Sequence, residues 1–363
     1  MAVDWFKSMQ QTFEYYTVNP STWQDQDKIN TITASSIEWD ESADTLGSAS
    51  INLSENIGEK YIRIYLVTIQ NGVTEKHDLG TFLLQTSPGS FDGKITTISV
   101  DGYTPLIELN EKNLPIGYYI PKETNIMDMA YRLARNNMRA PVVKTTNTEV
   151  LHDHFIADPE KKCLSFISDL VSNAKFTIGL DERGRMLFKP KQKLAALQPV
   201  ITFNDDNSSI LQPEIEMEED IFGIPNVVTV VCSSSNGNNF EVTVKNDDPA
   251  SPTSTIQRGR EIPYREINPQ SLGDPNEARV VEYAEQLLET LSTVEQTVTY
   301  THGYCGNRIG DCVRLNYRAA GLNNVKAKVI NQSIDCTPGC QVTETAVYTK
   351  KYWTKTNITV KGD

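Results

Sequence analysis

Positive charge is scarce in this sequence of 363 residues: 34 Lys and Arg stand against 47 Asp and Glu, a net charge of −13. That balance argues against a surface built to bind nucleic acid, which would need clustered cations to displace counterions. Duplex DNA can still slide past such a protein without adhering to it. No apolar run reaches the ~18 residues of a membrane span. The opening residues Met1-Ala2-Val3-Asp4-Trp5-Phe6-Lys7 lack the basic and apolar segments of a signal peptide. The expectation is a soluble chain that is not exported through the Sec route.

Cysteine is also sparse. Six residues are too few for a disulfide scaffold in a chain of this length. Four of them, Cys305, Cys312, Cys336 and Cys340, fall late in the chain and raise the question of a zinc site. The spacing fits poorly, because zinc knuckles hold paired cysteines closer than Cys305 and Cys312 stand. Small buried thiols on strands are the expected reading.

Catalytic motifs are missing as well. The Gly-rich nucleotide loops, the HExxH helix and the GxSxG elbow do not occur, so the common dinucleotide, phosphate, zincin and hydrolase readings lose support. Histidine is limited to His77, His152, His154 and His302. His152 and His154 would share one face of a strand and are the best metal-ligand hint, with no third ligand in view. Solvated surface histidines are expected there, and no metal or other cofactor is assigned. Arg132, Arg135 and Arg139 read as exposed partners of nearby acids.

What the sequence does contain is alternation. Residues 29–103 run with period two, the mark of half-buried strands. Residues 61–69 are rich in β-branched and aromatic side chains, and Asn71-Gly72 follows, a pair that accepts the positive φ of a type I′ hairpin turn. A second turn is expected at Asp92-Gly93. About five strands without an intervening helix predict an antiparallel sheet curled into a barrel or sandwich.

The period then changes to helical. Ile126, Met129, Ala130, Leu133 and Ala134 form a stripe behind the cap Asn125. A second helix is expected to open at Asp158-Pro159 and to bury Cys163, Phe166, Ile167, Leu170 and Val171. A short hairpin turns at Asp181-Glu182-Arg183-Gly184. Beyond Pro199, strands are expected at 226–231, 240–244, 296–302, 312–317, 325–333 and 343–348. One helix opens at Asp274-Pro275-Asn276-Glu277, and a long polar loop covers 246–274.

The fold class is therefore mainly β with an α/β insert. Residues 1–114 form a first β-barrel domain with an N-terminal arm that orders on assembly. Residues 115–198 form a small helix-helix-hairpin domain, and 199–363 a second β-barrel domain. Exchange of strands between the barrels is compatible with this division.

The densest charge run is Glu214, Glu216, Glu218, Glu219 and Asp220. Five acids in seven residues read as a solvated or channel-facing segment rather than the opposed pair of a glycosidase.

Several segments resemble phage tail hub proteins, the family of baseplate hubs, late-control D proteins and tail-tip proteins. Tyr61-Ile62-Arg63-Ile64-Tyr65-Leu66, Leu79-Gly80-Thr81-Phe82-Leu83-Leu84-Gln85 and Asp101-Gly102-Tyr103-Thr104-Pro105-Leu106 look like the family's first barrel. Leu164-Ser165-Phe166-Ile167 through Leu187-Phe188-Lys189 is similar to its inserted α/β domain. Ile224-Pro225-Asn226-Val227-Val228, Asp247 to Ser254, Gly259-Arg260 and Gly310-Asp311-Cys312-Val313 resemble parts of its second barrel.

The resemblance implies two tail-tube-like barrels per subunit and a homotrimer that shows six barrels to a sixfold tube or distal ring. It also implies a channel for genome exit, with the tail tube or distal ring protein and a spike, tip or fibre protein as partners. The tape-measure protein is a further partner, and DNA passes through without specific binding. The implied location is the virion tail, assembled in the cytoplasm of the host bacterium. Larger members add a cell-wall-degrading domain, and the end of this chain at Asp363 leaves the expectation non-enzymatic. The competing readings are a virion glycan- or receptor-binding module, with Trp5, Trp23, Trp39 or Trp353 stacking on sugars, and a cell-wall-degrading enzyme.

Overall fold

The computed structural model describes residues 3–85, 90–91, 96–206, 209–233, 239–269, 272, 276–353 and 357–362. The turn expected at Asp92-Gly93 and the pair Asp274-Pro275 lie outside them. The chain divides into two compact units, one of residues 1–215 and 299–346, the other of 216–298 and 347–363.

The larger unit is built on an open, fourteen-stranded sheet of mainly antiparallel strands. Its path runs through Leu322–Asp335 and Ile32–Asp40, then Gly47–Leu53, Thr96–Tyr103, Val73–Leu84, Tyr61–Gln70 and Gln10–Val18, to Asp25–Ile29. Early and late parts of the chain thus share a sheet: Ile334 pairs with Ile37, and Cys336, Cys340 and Val342 join Ile51, Ile62 and Phe82 in a common core. The class is mainly β with few helices, as the periodicity predicts. Among the described residues this sheet is an open path rather than a closed ring. Asn71 and Gly72 both have positive φ, at 52° and 77°, and turn the hairpin Tyr61–Gln70/Val73–Leu84.

The expected N-terminal arm is not free. Gln10–Val18 pairs with Tyr61–Gln70 along its length, and Asp25–Ile29 pairs with Gln10–Val18. Trp23 is buried, and Trp5 packs against His77 and Tyr304 at 4.7 and 5.2 Å between ring centroids. The strand period is masked because both faces carry aromatics. Tyr15 enters the core while Tyr16 packs edge-on to Tyr65 beneath the Lys76 ammonium.

The helices Ile126–Asn137 and Cys163–Asn173 and the hairpin Phe176–Leu180/Met186–Pro190 share a core with Leu106, Leu109 and Ile120. Asn125 caps the first helix through the Asp128 amide at 2.9 Å. The second helix opens at Cys163, later than Asp158-Pro159 suggests. Asp158 instead closes a turn with Glu160 and Lys161, and the Lys112 carbonyl takes the Cys163 amide at 2.8 Å.

The hairpin tip plugs into the large sheet. Trp23 Nε1 donates to the Arg183 carbonyl at 2.6 Å, and Arg183 Nε meets Asp78 at 3.2 Å. Arg63, only 2% exposed, reaches Asp25, Thr81 and the carbonyls of Trp23 and Arg183, so its buried charge is held by four hydrogen bonds, one of them to a carboxylate. Gly184, at φ +71°, sits where a Cβ would lie 3.0 Å from both Pro105 and Thr81.

In the smaller unit, Pro263–Ile267, Val227–Ser233, Asn239–Lys245 and Asn357–Gly362 form a sheet in that order. Helix Glu277–Ser292, capped by Asn276, covers it through Val280, Ala284 and Leu288. The stretch expected as a long polar loop is folded over its described residues. Asn246, Ser251 and Thr253 are buried in a knot of hydrogen bonds, and Asn226 ties it to the Arg260 carbonyl and the Ile262 amide. Buried side chains here satisfy the backbone in place of an apolar core, which is why polarity alone reads as loop.

Candidate functional site

The chain gathers reactive residue types at one place. Tyr300 and His302 are two apart on the strand Thr293–Gly303 and so share a face. Facing them are Glu344 from Gln341–Lys351 and Gln332 from Leu322–Asp335, with Cys305 and Asn307 from the following loop. Glu344 accepts from Tyr300 OH at 2.6 Å, Gln332 Nε2 at 2.6 Å and Asn307 Nδ2 at 2.8 Å. His302 Nε2 lies 3.3 Å from Glu344 Oε2 but is poorly aligned for a hydrogen bond. On its other side, His302 Nδ1 is 2.7 Å from the Gly303 carbonyl and 3.6 Å from Cys305 Sγ.

Burial opposes charge on His302, yet Cys305 and Glu344 outweigh it and lift the imidazole to about 10. Burial likewise works to raise the Glu344 carboxyl, and His302, Tyr300 and Gln332 hold it below the ordinary range. The pair is an imidazolium and a carboxylate. The thiol-imidazole-carboxylate line has the composition of an activated nucleophile, but its geometry closes that route. Cys305 is 9% exposed, His302 1% and Glu344 0%. Nδ1 faces the Gly303 carbonyl, which can only accept, so it carries a proton and cannot take that of the thiol, which Cys305 directs at Asn307 Oδ1. A cavity of about 90 Å³ beside it touches Tyr304, Asn307 and Gln332 but not Cys305, His302 or Glu344. This centre fastens strands rather than meeting a substrate.

The acidic run divides. Glu214, Glu216 and Glu218 alternate with Ile215 and Met217 along Leu211–Glu218, so the three exposed carboxylates line one face. Glu219 is engaged instead: hydrogen bonding from Tyr352 and the Lys350 ammonium at 3.2 Å keep its carboxyl below the usual range. Asp220 accepts the Phe222 amide at 3.0 Å.

His152 and His154 are exposed, and His154 accepts the Lys122 amide at 3.4 Å and meets the Tyr119 ring edge-on. Among the described residues no group of three His, Cys, Asp or Glu side chains is placed to hold a metal. All six thiols are buried and free, and burial pushes Cys336 up to about 12. Cys336 and Cys340 lie in the large sheet's core, apart from the Cys305 network. Arg139 pairs with Glu108 at 2.5 Å above the Tyr61 ring, while Arg132 and Arg135 are exposed. Trp39 packs on Phe82 and Trp353 lies in the core under helix Glu277–Ser292. Sequence reasoning missed a basic run, Lys189-Pro190-Lys191-Gln192-Lys193, which its alternating lysines could have signalled.

The fold is shared with phage tail proteins. The chain is similar in structure to a tail protein from Neisseria meningitidis MC58, with a TM-score of 0.60 and 14% identity over 94% of this chain and 98% of the other. It is also similar to the 43 kDa tail protein of prophage MuSo2 from Shewanella oneidensis, at TM-score 0.58 and 11% identity over 93% and 98%. A third likeness, at TM-score 0.50 and 9% identity over 90% and 76%, is to the c3393 protein of E. coli. That protein is a component of the type VI secretion system with structural similarity to the T4 tail proteins gp27 and gp5. No family model matches the sequence, and no curated protein is similar enough in sequence to count as a relative.

Proposed function

We propose that this protein is a non-enzymatic hub or tip component of a phage tail or a related injection machine. The observation that carries the reading is structural likeness to tail proteins over nearly the whole of both chains. In this reading residues 1–114 and 199–363 supply two tube-like barrels, with 115–198 inserted between them. Three copies form a ring with six barrels, which matches a threefold tip to a sixfold tube through heterologous contacts. The tube or distal ring protein binds one side, a spike, tip or fibre protein the other, and the tape-measure protein meets the channel.

Glu214, Glu216 and Glu218 then face the channel, with Glu219 and Asp220 at its margin. The net charge of −13 supports a lumen that repels phosphates and lets DNA slide without specific binding. The ring belongs to the virion tail and assembles in the cytoplasm of the host bacterium. The sealed His302–Glu344 centre favours this structural role over a cell-wall-degrading one. Light scattering over a concentration series tests the proposal. A mass of about 122 kDa, three copies of 40.7 kDa, is expected. A monomer at every concentration, unchanged when a tube or distal ring protein is added, would overturn it.

A further inference from the structure

The chain's charge is unevenly distributed. Residues 115–198 hold 13 Lys and Arg against 9 Asp and Glu, a net of +4 inside a chain of −13. Part of this excess borders a groove of about 660 Å³ in the larger unit, walled by Lys189, Lys191 and Lys328. The strand Met186–Pro190 is continued by the Lys191 amide, which donates to the Lys175 carbonyl at 2.8 Å, and alternate strand residues share a face, so Lys189 and Lys191 stand about 6.6 Å apart on it. Lys193 follows two residues on, where the backbone has turned to a polyproline-like φ −73° and ψ 145°. All three are exposed.

Two acids also border the groove, and each is engaged: Glu41 holds Lys328 at 2.5 Å, and Asp311 accepts the Arg308 amide at 3.0 Å. Lys191 meets only the Ser172 hydroxyl, at 3.2 Å. Neither Lys189 nor Lys193 forms a close ion pair among the described residues, and the Lys189 charge acts on Asp311, which lines the same groove. Between the lysines the wall supplies amide side chains, Gln192 and Gln198, and apolar surface from Leu197 and Val200.

We propose that this groove docks an extended segment of a partner protein with a carboxylate at every second residue. The spacing of Lys189 and Lys191 matches neighbouring carboxylates of such a segment. The amides suit its backbone, and Leu197 and Val200 suit its intervening side chains. A long polyanion such as duplex DNA is a poor fit, because the strongly acidic remainder of the chain repels it.

The test is fluorescence anisotropy with the full chain and a labelled peptide of alternating Glu and Thr. A peptide of the same composition with its Glu residues in one block, and a labelled DNA duplex, serve as comparisons. Saturable, salt-sensitive binding is expected, tighter for the alternating peptide than for the block. The Lys189→Glu/Lys191→Glu double variant should weaken it about tenfold or more. Lys189→Arg/Lys191→Arg should retain it. No peptide binding, equal affinity for both peptides, tighter binding of DNA, or salt-sensitive self-association through these lysines without peptide binding would overturn the proposal. The two-peptide comparison uses the unaltered chain and stands even if the charge-reversed variant does not fold.

Discussion

Two carboxylate-bearing regions of this molecule use the same chemistry in opposite ways. At Glu344 one carboxylate is buried and bonded by Tyr300, Asn307 and Gln332 beside the His302 imidazolium. Along Leu211–Glu218, three carboxylates stand in a row on an exposed face. The first is inaccessible and its loss should be costly; the second is open to solvent and its loss should cost little. Residue type alone would rank them the other way, since Cys305, His302 and Glu344 have the composition of a catalytic line. Access and proton placement decide the role.

The largest way to break this comparison is Glu344→Leu. It strands the His302 charge in the interior and should destabilise the larger unit by about 3–5 kcal/mol. Adding His302→Leu should recover part of that loss. Urea unfolding of both variants checks this, and an equal or greater loss in the double variant would contradict the ion-pair account. Gly184→Ala follows, at about 2 kcal/mol, because the new methyl meets Pro105 and Thr81 at a positive φ. Its expected signature is faster proteolysis of the hairpin at 181–185.

The pH dependence is smaller and has two limbs. His302 is raised from 6.5 to about 10, so its contribution is complete below 6.5 and is lost as pH rises toward 10. Glu344 is lowered from 4.5, so its contribution is complete above 4.5 and is lost as pH falls through its folded value. Thermal melts should show the pair's contribution greatest between 4.5 and 6.5, and His302→Leu/Glu344→Leu should flatten both limbs. Smallest of all is Glu214→Gln/Glu216→Gln/Glu218→Gln, expected to shift stability by no more than about 0.5 kcal/mol. A large shift in its unfolding midpoint would mean the row is engaged rather than open.

Much of the fold was legible because period and punctuation agree. Asn71-Gly72 turns its hairpin, Asn125 caps its helix, and Cys312–Tyr317 is the strand its alternation predicts. The misses share a cause: side chains whose burial does not follow hydrophobicity. Aromatics on both faces hid the strand Gln10–Val18, and the glutamates of Leu211–Glu218, read as a solvated or channel-facing segment, gave no strand bounds. Asn226 and Asn246 are buried because they bond backbone groups and, for Asn246, the Ser251 and Thr253 hydroxyls, which composition does not reveal. The candidate sites were less legible. The His302–Glu344 centre joins residues 42 apart, and only the strand pairing brings them together.

The central claim is that an acidic, tail-like chain builds a ring around a passage. Electron microscopy of the purified protein, with and without a tube or distal ring protein, tests it most directly. The account predicts threefold class averages with a central hole surrounded by six barrel-like densities. Compact particles without a hole in both preparations would contradict it.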